Sequence, residues 1–276
     1  MLEVIVRAIA LVLNIVMGFI IKKIGWVKKE DFSIFSKLVL RITLPCAIIT
    51  SFNQVEIASS MIIYVIIGII INLILGGAGY ILGRGKGRNE QAFNILNYGS
   101  FNIGAFTLPY ISSFLGASGV VIASLFDVGN SISAAGINYS IAKSVADKEN
   151  KLTVKRVIKN MFSSIIFMTY LIMFIIRLFD FVLPSPIITF TSIVGQSNTF
   201  LAMLMIGIAF EIKIERSKIQ KSVFNLGVRY IIAIIFSLLT YFLLPVSSIG
   251  KKVLTIMFFA PIAAMTTGFT QEINSD

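Results

Sequence analysis

Long apolar runs alternate with short polar connections along the whole chain. A helix needs about 20 mostly apolar residues to cross a hydrocarbon core of about 30 Å. Nine such runs occur, at about 3–21, 33–53, 59–82, 91–112, 118–142, 161–181, 187–210, 223–244 and 252–270. The pattern predicts an all-α membrane protein with about nine transmembrane helices and no soluble domain. The first run begins at Met1, carries Glu3 and Arg7, and is followed by no small-residue cleavage site. A retained helix is therefore expected, not a removed signal peptide.

The polar connections alternate in charge. Segments 22–32 (Lys22, Lys23, Lys28, Lys29), 83–90 (Arg84, Lys86, Arg88), 143–160 (Lys143, Lys148, Lys151, Lys155, Arg156, Lys159) and 211–222 (Lys213, Arg216, Lys218, Lys221) hold 17 of the 24 basic residues. The intervening connections hold few, Arg177, Lys251 and Lys252 among them. Because basic loops stay on the cytoplasmic side, the loops after the first, third, fifth and seventh helices face the cytoplasm and the N-terminus lies outside. The expected location is the cytoplasmic membrane. The longest polar connection divides the chain into a first five-helix repeat at 1–142, a basic cytoplasmic loop at 143–160 and a second, four-helix repeat at 161–276. An odd helix count per repeat inserts the second repeat upside down relative to the first, the inverted plan of many transporters.

Composition agrees with this reading. Of the 276 residues 57% are hydrophobic and only 13% charged, against about 25% charged in soluble domains. The net charge of +11 is spread over loop clusters, so it predicts contact with anionic headgroups of the lipid bilayer and not a nucleic-acid surface. With no histidine and a single cysteine, Cys46, a histidine-based zinc site, a Ser-His-Asp relay and an intrachain disulfide are excluded. No enzyme activity, cofactor or metal is expected.

Polar chemistry inside the apolar runs is concentrated in a few places. The fourth segment contains Asn94, Asn97, Gly99, Asn102, Gly104, Thr107 and Pro109, a density that predicts a broken helix, since proline removes a donor and glycine relaxes the backbone. The ninth carries Pro261 followed by Met265, Thr266, Thr267 and Gly268. Interrupted helices at matching positions of two halves predict a crossing whose free backbone groups meet a substrate; kinking and packing alone are the alternative. Asp127 lies near mid-membrane in the fifth segment, with Asn130, Ser131 and Asn138 on its face. An ionised carboxylate at that depth must be paired, hydrated or protonated, which makes it a candidate for coupling or for helix association with Arg41 as partner. Arg41 otherwise reaches back to the cytoplasmic surface. Ser192, Gln196 and Thr199, with Asn198 beside them, form a stripe that suits either substrate contact or interhelical bonding.

These residues resemble the auxin efflux carrier family of membrane transporters, which includes bacterial malate and malonate permeases. The likeness rests on Thr43-Leu44-Pro45, on Asn102 seven residues before Pro109, on Phe126-Asp127-Val128-Gly129-Asn130, on Leu204 to Phe210 and on Pro261, in that order over essentially the whole chain. The resemblance implies ten helices in two inverted five-helix repeats, with the fourth and ninth crossing at their prolines. It also implies a small organic anion bound at that crossing and an elevator-like motion against a scaffold. By position, Asn97, Asn102, Thr107, Pro109, Asp127, Asn130, Pro261 and Thr266 are the expected substrate-contacting residues. The expected partners are a carboxylate substrate held by helix ends and Asn102, a coupling proton or sodium ion, and a second copy of the chain in a homodimer. Thr107 stands where the family usually has glycine, and Met265 to Thr267 where it has asparagine. The chain stops at Asp276, about where the tenth helix is expected. A transport-inactive truncated paralogue, a subunit of a larger carrier and a channel are the alternatives.

Overall fold

The computed structural model describes residues 2–146, 158, 162–211, 216–263, 266 and 270. Most of the basic loop (Lys148, Lys151, Lys155, Arg156, Lys159), Lys213, and Met265, Thr267 and Gly268 of the ninth segment lie outside the described residues. Every regular element among the described residues is helical.

Helix α1 (Leu2–Lys23) is followed by α2 (Lys29–Asn53), which carries a π turn at Val39–Thr43, and by α3 (Ile62–Leu82). The fourth segment divides into α4 (Arg88–Tyr98), an extended linker and a π turn at Ile103–Thr107 that leads into α5, residues 108–115. Gly116, at φ 60° and ψ −157°, breaks the run before α6, residues 117–146. That region of backbone space is open almost only to glycine. Then come α7 (Ile165–Leu178), α8 (Ser185–Ala209), α9 (Arg216–Leu243) and α10 (Ser248–Phe258). Ser164 caps α7 through the Phe167 N–H at 3.3 Å, and Ser247 caps α10 through the Gly250 N–H at 3.1 Å.

Among the described residues, six stretches are long and apolar enough to cross a membrane: 4–23, 29–53, 59–82, 103–146, 185–209 and 219–243. Apolarity is turned outward. Ile5, Ile9, Leu13, Ile66, Ile70, Ile231, Leu238 and Phe242 are exposed, while Asn72, Asn94, Asp127, Asn130, Asn138 and Arg229 are buried. A polar interior under an apolar surface is the arrangement that a hydrocarbon solvent selects. The chain is a helical membrane protein.

With lipid outside, helices gain little by burying apolar surface, so close backbone approach and hydrogen bonds decide their packing. On α3 and α6, a Cβ at Gly68 would strike the Phe126 carbonyl and one at Gly129 the Val65 carbonyl. On α1 and α8, Gly18 and Gly207 meet the Leu204 and Ile15 carbonyls in the same way. The larger core gathers around α6, where Val121, Ile122 and Phe126 pack with Ile48, Phe52, Ile71, Val253 and Met257. A second cluster joins α1, α2 and α8 through Leu11, Val39, Ala202, Met203 and Met205. Thr43 of α2 donates to Asn198 of α8 at 3.0 Å, which gives part of the predicted polar stripe an interhelical role.

Candidate functional site

The chain leaves helical geometry at Gly99 and re-enters it after Asn102, deep inside the protein. Backbone groups freed there meet no water in a membrane interior and need partners from the protein. They find them on three elements. Asn138 of α6 donates to the Gly99 carbonyl at 3.0 Å. Asn130, one helical stretch earlier, accepts the Phe101 N–H at 3.1 Å and donates to the Phe101 carbonyl at 3.0 Å. Arg229 of α9 donates to the Ser100 carbonyl at 3.1 Å. The Asn102 N–H donates to the Pro261 carbonyl at 2.8 Å, and the Asn102 carbonyl accepts from the Thr107 hydroxyl at 2.9 Å. The two interrupted helices therefore touch, backbone to backbone, at Asn102 and Pro261.

Arg229 also closes the end of α4. It donates to the Asn97 carbonyl at 2.7 Å and to the Tyr98 carbonyl, and reaches the Ala260 carbonyl beyond α10 at 3.3 Å. Carbonyls at a helix C-terminus carry partial negative charge, so a guanidinium is well matched to them. Its Cζ lies 5.1 Å from the Phe101 ring centroid. One buried cation thus binds both breaks.

Asp127 lines a cavity together with Phe101. Its carboxylate accepts from the Asn130 amide at 2.7 Å and from the Tyr170 hydroxyl of α7 at 3.0 Å. Arg41 is exposed, so the expected Arg41 partnership gives way to two neutral donors on α6 and α7. The Asn130 amide is saturated, with both protons and its oxygen engaged.

Two cavities flank the linker. One of about 160 Å³ is walled by Asn102, Asp127, Asn130, Ser131 and Ser164, with Leu40 of α2 across from them. The other, of about 250 Å³, lies between α4 and α9 and is walled by Asn97, Tyr98, Ser222, Asn225 and Arg229. The Asn102 side-chain amide makes no hydrogen bond among the described residues and is open to whatever enters the first cavity. A larger open groove of about 710 Å³ beside Lys251 and Lys252 shares no residue with the crossing.

The predicted residues therefore separate. Asn102, Asp127 and Asn130 share one cavity, and Asn97 lines the other. Thr107 braces the linker from behind. Pro109 is buried in the first turn of α5, seven residues beyond the point of crossing, where its missing N–H leaves no gap. Pro261 supplies the carbonyl at the crossing. The Thr266 hydroxyl donates to the Ala263 carbonyl at 2.7 Å and lines neither cavity. Sequence reasoning missed Arg229, Tyr170 and Asn225. Arg229 was readable as a charge eight residues beyond Lys221 within an apolar run. Tyr170 and Asn225 carry no such mark.

No family model matches the chain. Among curated proteins, an uncharacterized transporter of Methanothermobacter thermautotrophicus is 24% identical over 122 residues, a match covering 43% of this chain and 40% of that protein. The chain thus matches less than half the length of this relative.

Proposed function

We infer that the chain is a secondary transporter of the auxin efflux carrier type. It carries a small organic anion, such as malate or another carboxylate, across the cytoplasmic membrane by alternating access. The observation that carries this reading is the contact of two broken helices at Asn102 and Pro261, beside a cavity of about 160 Å³ and an unengaged asparagine amide. Paired helix breaks at a cavity are the architecture that transport uses and simple helix association does not require. The cavity is below the roughly 300 Å³ of pockets for drug-sized ligands, which favours a substrate of few heavy atoms. The partial likeness to a protein described as a transporter points the same way.

In this reading residues 1–142 and 161–276 are inverted repeats joined by the basic loop 143–160, and the N-terminus lies outside. The scaffold is formed mainly by α1, α2, α7 and α8, and α6 belongs to the moving body. Asp127 carries the coupling proton or sodium ion, since an anion entering its cavity needs an accompanying positive charge. Asn102 and the helix ends orient the substrate, Asn130 lines the cavity and holds the linker in place, and Thr107, Pro109, Pro261 and Thr266 shape the breaks. No covalent step is involved, and two copies form the homodimer.

The test is uptake of radiolabelled malate by proteoliposomes. Saturable uptake whose pH dependence is flattened by Asp127→Asn is expected. Uptake that stays linear in concentration, or none across a panel of small carboxylates, overturns the reading.

A further inference from the structure

The two cavities beside the linker carry opposite charge. Among the described residues, Asp127 is the only charged one in the wall of the first, and Arg229 the only one in the wall of the second. Arg229 is 6% exposed. Its Nη protons go to the carbonyls of Asn97, Tyr98, Ser100 and Ala260, leaving Nε–H without a hydrogen bond among the described residues. Those carbonyls are dipoles with no formal charge. A full positive charge therefore stands in the wall of a cavity of about 250 Å³, with no carboxylate among the described residues lining it.

The surrounding donors fit an anion. Asn225 accepts the Tyr98 hydroxyl at 2.9 Å through its oxygen, which leaves its NH2 group without a hydrogen bond among the described residues. The Ser222 hydroxyl lines the same cavity. Toward the beginnings of α4 and α9, Lys221 lies 5.8 Å from the ring centroid of Phe93, itself a wall residue, and 3.0 Å from Glu90. Lys86 lies 6.0 Å from the Phe224 ring. Two cations thus stand near the beginnings of α4 and α9, Lys86 and the Glu90-paired Lys221. An uncompensated charge in a low-dielectric site is costly, and a carboxylate receiving charge-assisted hydrogen bonds removes that cost.

The geometry points to a second carboxylate-binding station, between α4 and α9, where Arg229 and Asn225 hold the substrate's carboxylate on its way to or from the crossing at Asn102. This station rests on the reading of the chain as an organic-anion carrier. It sets a basic cavity beside the acidic one, the first lined by Asn97 and Tyr98 at the end of α4 and the second by Phe101 and Asn102 of the linker.

The chain has one cysteine, Cys46, which is buried, so single-thiol labelling is direct. In a Cys46→Ala background, Ser222→Cys places a thiol in the Arg229 cavity and Ser131→Cys one in the Asp127 cavity. Each is labelled with anionic sulfonatoethyl and cationic trimethylammonioethyl methanethiosulfonate, and the rate ratio is scaled to a free thiol. An anionic preference of about tenfold is expected at Ser222→Cys and a cationic one at Ser131→Cys, because focused potentials reach several kT. The anionic preference should survive Lys221→Gln, fall with Arg229→Gln or Asn225→Asp, and labelling should slow severalfold in malate. Equal ratios at the two thiols, or a preference lost with Lys221→Gln, overturn the station and leave the carrier reading standing. A preference that Arg229 sets but no small mono- or dicarboxylate protects overturns the organic-anion reading itself.

Discussion

The two helix breaks meet at one point but are held in different ways. Between Gly99 and Asn102, Asn130 and Asn138 of α6 and Arg229 of α9 fix the backbone from outside the broken helix. Beyond α10, Arg229 binds the Ala260 carbonyl, and the Pro261 carbonyl is taken by Asn102 of the first break. Neither asparagine of α6 bonds to the second break. The first break is anchored to a buried helix, and the second takes its place from the first. Irregular backbone survives in a membrane interior where side chains replace the missing ladder, and here one break receives nearly all of them.

The comparison breaks most severely at Arg229, the residue common to both sides. Arg229→Met leaves four carbonyls without that donor and should lower stability by about 4 kcal/mol, at roughly 1 kcal/mol for each lost bond. Thermal unfolding of the detergent-solubilised protein reads this directly. Asn130→Leu should follow at about 3 kcal/mol, because it strips the Phe101 N–H and carbonyl and one Asp127 oxygen together. It affects the first break alone, so the second should follow only through the Asn102 contact. Pro261→Ala should have the smallest effect, within about 0.5 kcal/mol, since alanine keeps the carbonyl that Asn102 binds. A loss as large as that of Asn130→Leu would mean that the proline ring, not the carbonyl, sets the crossing.

Much of this plan was legible along the chain. The ends of α1, α2 and α3 fall within a few residues of expectation because Lys22, Lys23, Lys28, Lys29 and Arg84 terminate apolar runs. That the fourth segment breaks, and that Asn102 and Pro261 share a neighbourhood, was carried by the density of Asn, Gly and Pro. The position of the break was not. A proline can sit at the start of a helix without disrupting anything, as Pro109 does, whereas the linker is set by partners 28 or more residues away. The same distance hid Tyr170, whose hydroxyl takes the role that local charge pairing assigned to Arg41. The sixth segment is helical over Ile165–Leu178, and in the ninth α10 runs from Ser248 to Phe258. In both, caps and the second break, not the extent of the apolar run, fix the bounds.

Tracer counterflow distinguishes a carrier with its site at the crossing from a pore or an inert bundle. Proteoliposomes loaded with unlabelled malate are placed in a trace of labelled malate, with the native chain and with Asn102→Ala. The Asn102 side chain makes no hydrogen bond among the described residues, so this variant should keep its unfolding temperature. A transient overshoot of label with the native chain, abolished by Asn102→Ala at unchanged stability, is the predicted result. An overshoot of equal size in both, or label that equilibrates without overshoot, would contradict a carrier with its site at this crossing.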